Sequence, residues 1–324
     1  MKSCSTHTHR ASGSLSTRTA LRGLLLAAVV ACMPIASHAT ENGTTAYPSG
    51  GDDFLVAALP PPGWYGFVYF NQYNADTLAD NAGHMDLRSF DLNASVVALR
   101  LDWVKPVSVL GADRWGTLLF LPYADLDLKL SPAPGVEIEG SKAGMGDLAM
   151  GNALHWTFPT SDLATAIDIS FPTGAYDQAA LVNPGLNRWV LRPGIFWTFH
   201  PAPEWEFSFR LHYEISIKNG ATDYESGQVA YLNWNAGWKP VPPLTVGVAG
   251  YFLKQTTDDK VGGMVVAPDG NRLQVDGIGP CVKYFLPNHV MLTAKFFHEF
   301  DARNHPIGNQ FWCYITVPLS SPKH

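Results

Sequence analysis

The sequence predicts an all-β protein, a transmembrane antiparallel up-and-down β-barrel of about 12 strands with an N-terminal plug segment. Three observations predict this fold class. One long segment alternates strictly between apolar and polar residues, shorter segments of the same period recur along the chain, and the connections between them alternate between short and long.

The clearest strand lies at residues 204 to 218. Every odd position from Trp205 to Ile217 is apolar, and every even position from Glu204 to Lys218 is polar. A period of two indicates a strand with one apolar and one polar face. Strands of soluble proteins usually stop after about 5–6 residues, whereas a tilted strand needs about 9–11 residues to cross a bilayer. The length and the five charges on the polar face favour lipid outside and a wet lumen inside.

Segments with the same period predict twelve strands between residues 63 and 318. The pattern is clean at 228–238 and weaker at 144–158 and 272–285, because single barrel strands give weak signals. The predicted strands are 64–74, 86–103, 114–129, 144–158, 162–171, 188–199, 204–218, 228–238, 244–255, 272–285, 290–300 and 309–317.

The connections provide an independent indication of a barrel. Four are short and contain proline: 159–161, 200–203, 239–243 and 286–289. The connections between them are longer: 75–85, 130–143, 172–187, 219–227 and 256–271. This alternation is typical of outer-membrane barrels, which have tight periplasmic turns and large outer loops. The connection at 105–113 is the exception. Its place in the alternation calls for a short turn, but the boundaries of the predicted strands leave a long connection.

Aromatic residues lie close to the predicted short turns, where they predict a girdle at the membrane interface. An ordinary aromatic core is the alternative interpretation. The residues are Trp64, Tyr65, Trp103, Trp115, Trp156, Phe158, Trp197, Phe199, Trp205 and Trp238.

Residues 1–39 predict a signal peptide and hence localisation in the bacterial outer membrane. Four basic residues without any acidic residue precede an apolar stretch from Leu24 to Ala31, and Ser37-His38-Ala39 forms a small-x-small cleavage site. A competing pattern, Val29-Val30-Ala31-Cys32, is similar to a lipobox and would make Cys32 a lipidated N-terminus.

The net charge and the cysteine content indicate which partners and which covalent links to expect. Removing the four bases of residues 1–39 leaves 18 Lys and Arg against 28 Asp and Glu, a net charge of −10. An acidic chain without a basic cluster argues against nucleic acid as a partner. The two remaining cysteines, Cys281 and Cys313, fall on strands that are not neighbours, so we expect free thiols.

Residues 40–62 do not alternate, and they carry an apolar patch inside a polar leader. We expect this segment to fold back as a plug or gate through Phe54, Leu55 and Leu59; a frayed periplasmic tail is the alternative. Residues 319–324 form a C-terminal tail that continues past the last predicted strand.

The polar faces of the strands predict the lumen and transport pathway. Mixed charges suit a lumen in which acids and bases pair across strands, and a purely structural role is the alternative for each residue. The candidates are Asp125, Asp127, Lys129, Arg192, Arg210, His212, Glu214, Asn233, Asn235, Lys295 and Glu299. Five tyrosines are predicted to share this side: Tyr69, Tyr73, Tyr123, Tyr231 and Tyr251. The sequence contains no motif that indicates catalytic residues, a metal site or a cofactor.

Several turn motifs in order resemble the phenol meta-cleavage (MetA) pathway transporter family of outer-membrane proteins. They span nearly the whole chain after residue 39. The motifs are Tyr47-Pro48-Ser49-Gly50, Leu59-Pro60-Pro61-Pro62-Gly63, Gly144-Met145-Gly146-Asp147, Phe171-Pro172-Thr173-Gly174, Asn183-Pro184-Gly185-Leu186, Thr222-Asp223-Tyr224-Glu225 and Gly279-Pro280.

The resemblance implies an outer-membrane channel for small hydrophobic or aromatic solutes, with a link to phenol-type degradation. Outer-membrane lipid and the solute are the expected partners, and the oligomeric state stays open. A non-transport barrel, either a structural or adhesion scaffold or a lipid-modifying enzyme, is the alternative. An enzyme is not expected.

Overall fold

The structure is a computed structural model, and it describes residues 41–52, 54–84 and 89–320. The predicted signal peptide at 1–39, the alternative lipidation site Cys32 and the last four residues of the predicted tail lie outside the described residues.

The described chain consists almost entirely of strands, with two short 3₁₀ helices at Glu41–Gly43 and Pro287–His289. No helix in these residues is long and apolar enough to cross a membrane. The strands are β1 (Gly63–Ala79), β2 (Ser89–Val109), β3 (Ala112–Ala133), β4 (Val136–Met145), β5 (Ala149–Phe158), β6 (Ser161–Ser170), β7 (Val190–Phe199), β8 (Trp205–Ser216), β9 (Tyr224–Glu225), β10 (Val229–Val241), β11 (Leu244–Gln255), β12 (Lys260–Val261), β13 (Met264–Val265), β14 (Gln274–Phe285), β15 (Met291–Arg303) and β16 (His305–Pro318).

Twelve antiparallel strands close into a barrel, as the sequence predicts. Consecutive wall strands pair with one another, and β1 closes the ring by pairing with β16 from Tyr65↔Pro318 to Ala79↔His305. β4 and β5 count as one wall strand because both pair with β3, and Gly146-Asp147-Leu148 interrupts them. The three two-residue strands β9, β12 and β13 form a small separate sheet in the loops.

The two ends of the barrel differ in their connections. At the turn end the chain passes directly from β2 to β3, β5 to β6, β7 to β8, β10 to β11 and β14 to β15. The expectation of a long connection at 105–113 is wrong, since β2 reaches Val109 and only Leu110 and Gly111 form the turn. Both have positive φ, 54° and 73°, as a two-residue type I′ hairpin turn requires. All five connections at the turn end are therefore short, whereas the loop end has long connections as well as two tight turns, at 134–135 and at Asn304.

At the loop end, the first part of one predicted loop and most of another are strand. Residues 75–79 extend β1, and most of 130–143 forms a hairpin between the end of β3 and β4. Both segments continue the hydrogen-bonded ladder beyond the length that a bilayer requires. This end also carries the long connections 171–189, 217–228 and 256–273.

The wall presents apolar side chains outward over most of its height. In β8, Trp205 and Leu211 are exposed whereas Glu206, Ser208, Arg210 and His212 are buried inside. Tyr65 is buried, but several other residues of the predicted girdle are exposed near the turn end, namely Trp64, Trp103, Phe158, Trp197, Trp205 and Trp238. Their outward placement fits the predicted girdle rather than an aromatic core. The two cysteines lie on β14 and β16 and form no disulfide with each other, as predicted.

Candidate functional site

Residues 41–52 and 54–62 run through the barrel interior from the loop end to the turn end, and we call them the inner segment. Glu41 contacts Ser226 and Asn219 at the loop end. Leu59 lies at the other end, where its carbonyl oxygen accepts a hydrogen bond from Arg114. β1 begins at Gly63, directly after the segment.

The loop end holds the segment through a buried carboxylate. The Glu41 side chain accepts hydrogen bonds from the Asn219 amide at 2.8 Å and from the Thr222 hydroxyl at 2.6 Å. The Arg188 guanidinium lies 3.9 Å from the same carboxylate and donates to the carbonyl oxygen of Thr44 at 2.9 Å. Arg188 is almost fully buried, so these contacts supply the partners that a buried cation requires.

Tyr47 occupies the middle of the lumen, against two predicted lumen residues. Its ring meets the His212 ring edge-on at a centroid distance of 4.2 Å, and His212 stacks on Tyr231 at 4.5 Å. The Arg210 guanidinium lies 4.9 Å from the centre of the Tyr47 ring.

An ion triad fixes the next residues of the segment. Arg210 donates to Asp52 and to Asp168, both at 2.8 Å. Lys295 reaches across the lumen and donates to the carbonyl oxygen of Gly50 at 2.6 Å and to that of Asp52. The backbone N–H of Gly50 donates to Asn233 at 3.2 Å. Predicted lumen residues therefore bind the inner segment itself.

Phe54 and Leu55 contact the polar wall near the turn end. The Lys283 ammonium lies 4.8 Å from the centre of the Phe54 ring, and a Cβ at Gly237 would approach that ring to 2.6 Å, so glycine leaves the room that Phe54 needs. The N–H of Leu55 donates to Glu206 at 2.6 Å. Leu55 has a φ of 60°, a conformation that leucine adopts only when its surroundings hold it there.

The remaining predicted lumen residues also face inward. Glu214 accepts from the N–H of Ala46 at 3.2 Å. Glu299 accepts from the hydroxyls of Tyr73 at 2.6 Å and Tyr251 at 2.8 Å. Asn235 and Tyr69 are buried in the same interior. Whether any of these residues contacts a passing solute stays a prediction.

The placement of Asp125, Asp127 and Lys129 in the lumen is wrong, as is that of Tyr123. All four are exposed on the outside of β3, whereas Leu126, Leu128 and Leu130 point inward. There the leucines pack with Leu78, Phe90, Leu92, Leu181 and Val182 in an apolar cluster at the loop end. Charged outward residues suit a wall that faces water, so this part of β3 extends beyond the lipid.

The sequence analysis missed several residues that shape the interior. Glu206 belongs to the same alternating set as Arg210 and could have been found by that signal. Asp147 could not, because it lies in the interruption of a wall strand. Its carboxylate accepts from the N–H groups of Thr173, Gly174 and Leu186 at 3.1, 2.8 and 2.8 Å, and so holds the connection 171–189 folded into the barrel.

A cavity of about 260 Å³ remains between the inner segment and the inward connection. Tyr47 and Asp52 of the segment line one side, and Pro184 and Leu186 of the connection line another. Wall residues Phe120 and Trp312 contribute rings, and most of the lining is apolar. We call this space the inner cavity.

Solved structures share this architecture. The crystal structure of an outer-membrane channel from Pseudomonas putida F1 is similar over 84% of this chain and 99% of that one, with a TM-score of 0.73 and 17% identity. The β-domain of the Bordetella autotransporter BrkA is similar over 80% of this chain and 100% of that one, with a TM-score of 0.52 and 12% identity. These likenesses show the fold.

Family membership comes from the sequence comparison. No curated protein matches the chain. The model of the family described as "Putative MetA-pathway of phenol degradation" matches residues 62–314. This range covers every wall strand from β1 to β16 apart from the last four residues of β16. The chain belongs to this family.

Proposed function

We propose that this protein is an outer-membrane channel for small hydrophobic or aromatic solutes and that the inner segment is its gate. The observation that carries the proposal is the inner cavity, an apolar and aromatic space inside a closed barrel that is bounded by the segment itself. The description of the family, which refers to phenol degradation, supports aromatic molecules as the solute class.

The outer face of the barrel supports a membrane location. Leu211, Ile195 and Ile167 are each more than half exposed, and such side chains on neighbouring strands are stable facing lipid. An outer membrane is the compartment in which bacterial β-barrels of this kind reside, and the predicted signal peptide at 1–39 provides the export.

Gating follows from how the inner segment is held. Its backbone N–H and C=O groups bind wall side chains such as Glu206, Glu214, Asn233 and Lys295 through separate hydrogen bonds, two of them donated by Lys295. Each such bond contributes roughly 0.5–1.5 kcal/mol, or up to about 3 kcal/mol where the partner is charged. Water can replace these bonds one at a time, so the segment can shift aside while the barrel wall keeps its own ladder.

A catalytic role receives no support from the interior histidines. His212 is stacked between aromatic rings, and neither ring nitrogen makes a hydrogen bond within the described residues. His155 is buried with its Nε2 3.0 Å from Asp162. A general base must lie within hydrogen-bond reach of the group that it activates. We therefore propose transport rather than catalysis, with a scaffold or lipid-modifying role as the competing function.

Uptake by whole cells tests the proposal. Cells lacking this protein should take up a dilute single-ring aromatic such as benzyl alcohol more slowly than cells that produce it, and the gene on a plasmid should restore the rate. Equal initial rates in the two strains would overturn the channel role. A variant with residues 41–52 deleted should exceed the wild-type rate if the inner segment is the gate.

A further inference from the structure

The inner cavity is large enough for a substituted ring. A dry cavity of about 150 Å³ already holds a benzene molecule, and this one measures about 260 Å³. Tyr69 forms edge-on ring contacts with Phe120 at 6.0 Å and with Trp312 at 6.5 Å. A flat aromatic molecule can pack against such rings with the offset or edge-on geometry that aromatic pairs prefer.

One arginine in the cavity wall lacks a carboxylate partner among the described residues. Arg192 is only 5% exposed, and its Nη1 donates to the Ser170 hydroxyl at 3.0 Å. Its Nε has no partner, and no carboxylate of the described residues forms an ion pair with it. Arg210 Nε also lacks a hydrogen-bond partner among the described residues, but the Arg210 guanidinium is held by the two carboxylates of Asp52 and Asp168. A buried guanidinium normally requires such a partner, so Arg192 is the charged donor that a solute can engage.

The charge of the cavity wall decides which solute suits this donor. Three arginines line the cavity, Arg100, Arg192 and Arg210, and so do three carboxylates, Asp52, Asp147 and Asp168. Arg210 bridges Asp52 and Asp168, and Arg192 lies directly opposite Asp168 in the ladder between β6 and β7. The formal charges cancel, so a bound anion would lose its hydration without meeting a positive surplus.

We propose that the inner cavity is a binding site for an uncharged aromatic molecule with one oxygen substituent, and that Arg192 donates a hydrogen bond to that oxygen. The ring packs against Tyr47, Tyr69, Phe120 and Trp312. This inference rests on the proposed channel function, since it places the solute on the path that the inner segment closes.

Three single-ring probes test the site by isothermal titration calorimetry on the purified full-length protein. Benzyl alcohol carries a neutral oxygen, benzoate carries an anionic one, and toluene carries none. Wild-type protein should bind benzyl alcohol about tenfold or more tightly than benzoate. Arg192→Met should weaken benzyl alcohol about tenfold, the effect of a lost hydrogen bond to a charged group, and leave toluene unchanged. Arg272→Gln, on an exposed loop, is the matched control and should change none of the affinities.

The outcomes separate this site from the channel role. Benzoate binding as tightly as benzyl alcohol, or an unchanged benzyl alcohol affinity in Arg192→Met, would overturn the proposal. If Arg192→Met does not fold, the comparison of benzoate with benzyl alcohol on the wild-type protein decides alone. If none of the probes binds while uptake by cells still depends on the protein, the proposed binding site is wrong and the proposed channel function stands. If the probes bind as expected but uptake does not depend on the protein, the proposed channel function is wrong and the proposed binding site stands.

Discussion

Strand β8 and the loop-end half of β3 have the same alternation but place charge on opposite faces. In β8 the charged residues Glu206, Arg210 and Glu214 point inward and Leu211 points outward. In β3 the charged residues Asp125, Asp127 and Lys129 point outward, and leucines point inward.

The difference teaches that the surroundings of a barrel wall, and not its geometry, decide which face is polar. β3 itself shows both arrangements, since Leu119 and Leu121 are exposed on the same outer face that carries Asp125 six and four residues further on. Lipid outside selects apolar residues, and water outside selects charged ones. The wall then presents inward the residues that the contents of the barrel require: polar side chains opposite the backbone of the inner segment in one region, and apolar side chains opposite Leu181 and Val182 of the connection 171–189 in the other.

The largest expected change in the free energy of unfolding concerns the polar interior beside β8. Glu206 is fully buried, lies 3.2 Å from the Lys283 ammonium and accepts from the N–H of Leu55. Glu206→Ala leaves a buried lysine with only partial compensation and should lower the free energy of unfolding by about 3–5 kcal/mol. Urea titration of the protein in lipid vesicles measures it.

Glu204 provides the matched control for that variant. It lies two residues before Glu206 and is exposed at the turn end, so Glu204→Ala should change the free energy of unfolding by no more than about 0.5 kcal/mol. Equal losses for the two variants would contradict a buried ionic interior beside β8.

The next effect compares the two outer faces directly. Leu211 on β8 is 54% exposed, and if lipid covers it, Leu211→Arg should cost about 2–4 kcal/mol of unfolding free energy. Asp127 on β3 is also exposed, and because water covers it, Asp127→Arg should cost less than about 0.5 kcal/mol. Similar costs at the two positions would mean that both faces meet the same solvent.

The smallest expected effect concerns the outer face at the turn end of the barrel, where the lipid ends. The rings of Trp64 and Trp103 stack at a centroid distance of 5.6 Å with an angle of 11°, and both are exposed near the turn end. Trp64→Leu keeps an apolar side chain but removes the ring pair, and should cost about 0.5–1.5 kcal/mol. A double-mutant cycle with Trp103→Leu measures the coupling free energy between the two rings. A value near zero would mean that the ring pair does not stabilise the barrel.

The sequence predicted the barrel well because alternation and turn spacing are local signals. The clean strands at 204–218 and 228–238 correspond to β8 and β10, and both carry their polar residues inward as predicted. The predicted loop at 130–143 failed because glycines, prolines and charges there belong to a hairpin that stands in water, where strands need no apolar face toward lipid.

The candidate site was predicted only in part for a similar reason. Alternation identifies which residues share a face, so Arg210, His212 and Glu214 were found together. It does not say which solvent each face meets, so Asp125, Asp127 and Lys129 were assigned to the wrong side. It also carries no information on long-range contacts such as Arg210 with Asp52 or Lys295 with Gly50, which arise only when the inner segment enters the closed barrel.

The central claim is that the inner segment fills and gates the barrel, and ion conductance in planar bilayers tests it most directly. The measurement compares the wild-type protein with a variant that lacks residues 41–52, and a variant that lacks the loop hairpin 260–265 serves as the control. The account predicts a several-fold higher single-channel conductance after deletion of 41–52 and no change after deletion of 260–265. Wild-type conductance in the variant without residues 41–52 would contradict it.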